Sequence, residues 1–500
     1  MAIRKTNYAI AAGHRRTLEV AENILKEGGN AFDAAIAAYM AAFVTEPCMA
    51  SAGGGAFALV GVKGKPVQMF DFFCQTPKSK NHISNPEYQP ITVDFGETRE
   101  VYYVGLGAVA VPGSIGGLFA LHERYGTIPM TILAEQAIEL AKNGVVIDAF
   151  QAIDIGLLKD IFKTTHRGQE LFYKKDQALR EGDVYYPSFL ADFLDVLSRE
   201  GRDFFYKGEI ARKVVEDMRT KGGYLTMKDF EQYEVHIGDA LRFEFGNAHV
   251  FTAGYPSLGG ALMNIYLAHI APGDSPIISF DHKVNAGITC DQLFKHPERI
   301  SEALKKVNPS AQGVFHHPIS TRGTSHISIM DGSGNAIGLT FTIGEGSGYF
   351  IPGTDIHLNN MLGEPSLVPE GPHSWPEDVR LMSMMCPTLV HSTEIGHVAL
   401  GSGGASRIPY MIAQVIEHLM HGKSLEEAIR GPRVHAEHEV IHIEPGLDWL
   451  QTKNEWRGYT IKRWEQSSLF FGGVHAVMKK QGRLEAVGDY RRHGVGRVVN

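Results

Sequence analysis

Cysteine is scarce. Cys48, Cys74, Cys290 and Cys386 are spread over 500 positions, with no Cys-x-x-Cys pair. That excludes a disulfide-framed scaffold and a zinc knuckle. A basic excess is also missing, since 48 Lys+Arg against 56 Asp+Glu leave a net charge of −8. Without a basic block there is no electrostatic footprint for nucleic acid. No run of about 18 or more residues is apolar enough to span a bilayer. The nearest, residues 31–44, is short and ends against Glu46-Pro47. The start, Met1-Ala-Ile-Arg-Lys-Thr-Asn-Tyr8, has no apolar segment after its charges. No secretory signal is read there, so a cytoplasmic setting is expected, with no membrane and no nucleic-acid partner. Gly-x-Ser-x-Gly is absent, which removes the nucleophile elbow of α/β-hydrolases.

What is present is the composition of a globular chain, 44% hydrophobic and 21% charged. Its length alone gives a soft prior of roughly three domains. Glycine is in excess, 55 residues of 500, above the usual figure of about 7%. Many backbone positions must therefore turn sharply or approach a neighbour closely.

Leu18, Ala21, Ile24 and Leu25 recur at helical spacing, and Gly28-Gly29 stops that helix. Asn30 reads as an N-cap with Asp33 in the first turn, opening an alanine-rich helix over 31–44 that must be buried. A glycine turn at 51–55 leads to a core strand over 56–62. Residues 75–100 read as irregular, 150–235 as mostly helical, and 241–251 as one strand. Helices are expected near 117–125, 131–142, after Gly260, and from 280 into a loop with His316-His317. From 324 onward the chain is β-rich. Helices and strands mix without a regular βαβ rhythm, which favours a layered α+β sandwich over a doubly wound sheet.

The sharpest segment is Gly323-Thr324-Ser325-His326 through Asp331-Gly-Ser-Gly-Asn335 to Thr340-Phe-Thr342-Ile343. Asp-Gly-Ser-Gly-Asn between two alternating runs predicts a hairpin. With 331–335 as the loop, residue 326 faces 340 and Thr324 faces Thr342. One face is apolar, and the other carries hydroxyls and His326. Threonines pair across strands for structural reasons alone. The arrangement acquires chemistry if the chain breaks between Gly323 and Thr324. Thr324 then carries a free α-amine, with a pKa of about 7.7–8, beside its own hydroxyl. Nucleophile and base reside in one residue, and Thr342 would orient or polarise the Thr324 hydroxyl.

The second segment is Gly401-Ser402-Gly403-Gly404-Ala405-Ser406-Arg407, between a strand and an apolar helix over 408–419. Backbone N–H groups at such a turn suit an oxyanion, though an ordinary strand-to-helix turn looks the same.

Together these segments resemble the γ-glutamyltranspeptidase family of N-terminal-nucleophile hydrolases. The likeness includes Gly-Gly-Asn-Ala-Phe-Asp-Ala-Ala (28–35), Glu46-Pro47, Gly53 to Gly55, Val111-Pro-Gly-Ser-Ile-Gly-Gly117, Phe205 to Ala211, Gly222 to Thr226, Thr324-Ser-His326, Leu358-Asn-Asn360, Cys386-Pro-Thr388, Gly401 to Arg407 and Ala428 to His435. The resemblance implies a four-layer αββα sandwich made as a precursor. Cleavage before Thr324 would give a large subunit, 1–323, and a small subunit, 324–500, within one domain. It implies a heterodimer of these two fragments, with a dimer of heterodimers as a further option, and no cofactor or metal. It places the nucleophile at Thr324, its supporting threonine at Thr342, and the oxyanion-hole amides at Gly404 and Ala405, the latter standing for a glycine.

The substrate wall departs from the family. Phe73 stands where the family has an arginine for the substrate carboxylate. Ser383 is kept, but Met384 replaces a second serine. Gly344 stands for an asparagine, and Met361 and Glu364 replace the residues after Asn360 that read the substrate amine. The stretch between Asn360 and Ser383, which carries a lid loop in the family, is short. Losing a guanidinium removes a carboxylate clamp, and Phe73, Met361 and Met384 make the wall apolar. The expectation is an amidohydrolase of altered acyl specificity, acting on a small-molecule amide such as an oxamate-like, glutaryl or apolar acyl amide. A true glutathione hydrolase and an uncleaved, inactive binding homologue are the alternatives. Arg380 and Arg407 are candidates for a small anionic acyl group or for local pairing.

His435, His438 and His442 have metal-like spacing but fall in an alternating run, 434–443, expected as a strand. Gly105-x-Gly107-x-x-Ala110 lacks the βαβ context of a dinucleotide site, and Gly422-Lys423-Ser424 lacks the first P-loop glycine.

Overall fold

The computed structural model describes residues 7–81, 83–94, 99–268, 323–365, 367–368, 370–437, 439–447 and 459–500. The expected helix near 280, His316-His317 and His438 lie outside these residues.

The strands of the two main sheets are, in chain order, β1 (Tyr8–Ala12), β2 (Gly55–Gly61), β3 (Gln68–Phe72), β4 (His236–Asp239), β5 (Leu241–Phe245), β6 (Ala248–Thr252), β7 (Thr324–Asp331), β8 (Ala336–Thr342), β9 (Thr388–Ser392), β10 (Gly396–Gly403), β11 (Gly473–Lys480), β12 (Arg483–Val487) and β13 (Val495–Val499). One sheet runs β4-β3-β2-β8-β7-β1-β13 and the other β5-β6-β9-β10-β11-β12. Elements before and after Gly323 are thus interleaved in the first sheet and joined edge to edge in the second.

The helices that matter to the site are α1 (Arg15–Lys26), α2 (Ala31–Thr45), α3 (Ala149–Phe162), α4 (Leu258–Ala268) and α5 (Ile408–Met420). Asn30 and Asp33 form a reciprocal capping box that starts α2, and every residue of that helix is buried. Its alanines let it lie flat on the first sheet, where Ile327, Ile329, Leu339 and Phe341 join the same apolar cluster. The opposite face of that sheet contributes Ala9, Ala11, Phe57 and Leu59 to a second cluster, shared with Leu389, Leu400, Val477 and the α4 and α5 side chains. Alternation along the central strands therefore buries both faces of that sheet. The result is the α+β architecture of four layers, αββα.

Most element readings hold within a residue or two, and three are corrected. The 75–100 region contains a hairpin, Gln89–Asp94 paired with Arg99–Val104. Residues 241–251 are not one strand but the hairpin β5-β6. Residues 434–443 are likewise two short strands, with His435 opposite His442. Between β5 and β6 the turn at Gly246-Asn247 restores the same alternation on the return strand, so a single run and a hairpin look alike in sequence.

Candidate active site

The β7-β8 hairpin has the expected register, with Thr324 opposite Thr342 and His326 opposite Thr340. Asp331 builds the turn. Its carboxylate accepts from the Asn335 backbone N–H at 3.0 Å and from Asn335 Nδ2 at 2.8 Å. It also accepts from Ala31 N at 3.1 Å, which ties the turn to the start of α2. This locks the register, and a slip of one residue would turn the hydroxyl-bearing face onto α2 and the apolar one away from it.

Thr324 and Thr342 are both buried. The Thr342 hydroxyl accepts from Gly344 N–H at 2.9 Å, so its own hydrogen is left for its other partner, the carbonyl oxygen of Gly323. In the unbroken chain it thus touches the carbonyl preceding Thr324. The sequence reading had it acting on the Thr324 hydroxyl.

Alternation sends Thr324 toward the second sheet and Ser325 toward α2. Ser325 Oγ donates to Glu46 Oε2 at 2.5 Å, and Thr17 Oγ1 donates to Glu46 Oε1 at 2.8 Å. Burial pushes the Glu46 carboxyl up to about 7 against the lowering effect of these two hydroxyls. On the other side, Gly403 abuts the Thr324 carbonyl so closely that a Cβ would collide with it. Arg492 Nη1 donates to that same carbonyl at 3.2 Å. Sequence reasoning missed Glu46 and Arg492 as neighbours of the nucleophile position, since only tertiary contacts join them to it.

Gly404 follows β10 directly, and Ala405 opens a single 3-10 turn, Ala405–Arg407, that runs into α5. N–H groups at this point precede the helical i→i−4 ladder. Ala405 has φ +51°, a left-handed conformation that costs an alanine energy. The loop is pinned from below, where Ser406 Oγ donates to Glu437 at 2.6 Å and Arg407 pairs with Glu437 at 2.9 Å. Arg407 is fully buried and also stacks on Phe470, 4.5 Å from the ring centroid.

The substrate-wall residues divide into two groups. Gly344, Asn360 and Glu364 meet beside Gly323. Gly344 has φ +68°, its carbonyl lies against Gly323, and any side chain there would strike Glu364 and Asn360. Asn360 Oδ1 accepts from the N–H groups of Glu345 and Gly346. Phe73, Met361 and Met384 instead belong to the apolar core between the sheets, with the Phe73 ring 5.6 Å from Phe57. Ser383 Oγ accepts from Met385 N–H at 3.1 Å. Arg380 is committed elsewhere. Its Nε lies 3.2 Å from Asp71 Oδ2, Nη1 donates to the Phe73 carbonyl at 2.6 Å, and Nη2 donates to the Glu234 carbonyl at 2.5 Å. His326 is also structural in its contacts, with its ring nitrogens on Thr340 Oγ1 and Ser328 Oγ. Burial holds it well below its ordinary pKa, hence neutral.

A four-layer αββα sandwich with a threonine at the head of a central strand defines the N-terminal-nucleophile hydrolase class. Comparison then identifies the family. The Gamma-glutamyltranspeptidase family model matches residues 17–270 and 279–499, so the chain belongs to that family. The chain is 27% identical to a glutathione hydrolase proenzyme of Bacillus subtilis, over 98% of this chain and 91% of the relative. It is 26% identical to the capsule biosynthesis protein CapD proenzyme of Bacillus anthracis, over 98% and 90%. Among solved structures, a cephalosporin acylase from Bacillus halodurans superimposes with a TM-score of 0.82 at 22% identity, covering 99% of this chain and 96% of that one.

Proposed function

We propose that this chain is a self-processing amidohydrolase that breaks its own Gly323–Thr324 bond and then cleaves amides through an acyl-enzyme on Thr324. One observation carries the reading: Thr342, paired in register with Thr324, places its hydroxyl on the Gly323 carbonyl. In the first step Thr324 Oγ attacks that carbonyl carbon. The developing negative charge falls on the oxygen to which Thr342 donates. The C–N bond then breaks, the nitrogen takes the hydroxyl proton, and an ester joins Gly323 to Thr324 Oγ. Water hydrolyses the ester, freeing the Gly323 carboxylate and the Thr324 α-amine. That amine serves as general base for the same hydroxyl in later turnovers, with the Gly404 and Ala405 N–H groups as oxyanion donors.

The acyl preference is proposed to differ from γ-glutamyl. Phe73 is a core side chain, and Arg380 and Arg407 are both tied to carboxylates. No arginine among these three positions is left to clamp a substrate carboxylate, which favours an apolar acyl group over oxamate-like or glutaryl ones. The names of the relatives favour a second reading, glutathione hydrolysis. Intact mass and a panel of acyl anilides test both. The reading expects fragments 1–323 and 324–500, no cleavage or turnover in Thr324→Ala, and γ-glutamyl anilide well below the best substrate. Comparable turnover of γ-glutamyl anilide would restore the glutathione reading. A single uncut, inactive chain would leave a binding homologue.

A further inference from the structure

The peptide between Gly323 and Thr324 is trans, so its carbonyl and its N–H point opposite ways. The carbonyl oxygen lies on Thr342, on the β8 side. The Thr324 N–H therefore points toward β1. The Thr324 carbonyl agrees, because the N–H and C=O of one strand residue share a side, and it meets Arg492. On that side is a narrow cleft with room for little more than water. Gly13, just past β1, lines it together with Thr324, Ser325, Glu46 and Arg492. An α-amine freed at Thr324 opens into this cleft.

We propose, on the reading that Thr324 is the nucleophile, that Glu46 is the counter-charge of this α-amine, a positioning residue that sets the pH at which the amine becomes a base. Its place is fixed. Ser325 Oγ and Thr17 Oγ1 donate to its two oxygens, and a Cβ at Gly13 would strike both Ser325 Oγ and Glu46 Oε2. Two hydroxyl donors suit an ionised carboxylate, which only accepts. Burial opposes ionisation and puts the group at about 7 in the uncut chain. That is within about one unit of a free α-amine, at about 7.7–8. Breaking the bond therefore creates a cation beside an acid of similar pKa. The ammonium favours the carboxylate, and the carboxylate favours the ammonium. The other walls supply fewer competing charges. Asp148, which caps α3, and Asp154 within it add negative charge, and Arg492 opposes them. Burial lowers His475 on β11 to about 4 and lowers His14 before α1 as well, so both are neutral near pH 7. Burial raises the Cys48 thiol well above its usual value, so it too is uncharged.

In turnover the α-amine takes the Thr324 hydroxyl proton as Oγ bonds to the acyl carbon. It gives that proton to the departing nitrogen when the C–N bond breaks. The Thr324 nitrogen is positive in between, and the Glu46 carboxylate stabilises that stage.

The test uses the processed full-length protein and the acyl p-nitroanilide it turns over best. The acid limb of kcat/KM against pH gives the midpoint of the α-amine in the free enzyme. The pH dependence of cyanate addition to the amine of the 324–500 fragment, read by peptide mass, gives the same midpoint without turnover. Glu46→Gln should lower both midpoints by about one unit, since it removes the neighbouring negative charge. Ser325→Ala removes one donor, makes the carboxylate harder to form, and should lower both by a smaller step. Where Glu46→Gln is not processed, the Ser325→Ala midpoints decide alone. A side chain that only packs would change the plateau rate and leave the midpoints in place. Midpoints unmoved in the processed variants, or moved upward, overturn the role of Glu46. Absence of the 324–500 fragment in the parent overturns the nucleophile assignment, and the role of Glu46 with it.

Discussion

The hydroxyl of Thr342 donates to the carbonyl oxygen of Gly323, the residue immediately before Thr324. The contact is possible because the hairpin pairs 324 with 342 and because Gly344 N–H takes up the acceptor side of the same hydroxyl. Thr342 is therefore placed at the bond that the proposed processing would break.

Thr342→Val should slow the conversion of full-length chain to fragments by about 10²–10³, the usual loss for one oxyanion donor. Thr342→Ser should retain most of the rate. A time course on a denaturing gel measures both, and cleavage of the valine variant at the wild-type rate would sink the role.

Backbone geometry at the glycine loop makes opposite forecasts for adjacent residues. Ala405 sits at φ +51°, so Ala405→Gly should leave the fold as stable as the parent or raise stability by up to about 1 kcal/mol. Gly403→Ala must displace the Thr324 carbonyl and should reduce both chain cleavage and melting temperature. Thermal unfolding of the two variants separates the cases.

Asp71 and Arg380 form a buried ion pair at 3.2 Å, with Asp71 fully inaccessible. Arg380→Met should cost about 3–5 kcal/mol, because the carboxylate remains without its counter-charge. Adding Asp71→Asn should recover part of the loss. A single Arg380→Met variant that melts like the parent yet loses substrate affinity would instead place this arginine in substrate binding.

Glu46 gives a pH signature. Its carboxyl rises from 4.5 to about 7 on folding, mainly through burial. The folded state therefore holds a proton that the unfolded chain releases above about 4.5. Stability from this group is complete below that pH and is lost as pH rises toward 7, by roughly 3 kcal/mol in all. Glu46→Gln should flatten this decline. The measurement is the melting temperature of both proteins between pH 5 and 8, and parallel curves would reject the coupling.

Local order was legible wherever neighbouring residues settle it. Asn30 and Asp33 announce the capping box of α2, and alternation around Asp331-Gly-Ser-Gly-Asn335 sets the hairpin register. Runs such as 241–251 misled, because a two-residue turn inside an alternating stretch leaves the period intact.

The sequence by itself determined the strand register that opposes Thr324 to Thr342, the glycine loop before α5, and the family to which these blocks belong. Only the tertiary structure decided what surrounds them. It placed Glu46 under Ser325, Arg492 on the Thr324 carbonyl, Glu364 in the space beside Gly344, and Arg380 out of reach on Asp71. The reason is physical. Capping and hairpin pairing act between residues close in the chain, where spacing encodes geometry. Contacts between layers join residues hundreds of positions apart, and they arise from how buried faces pack.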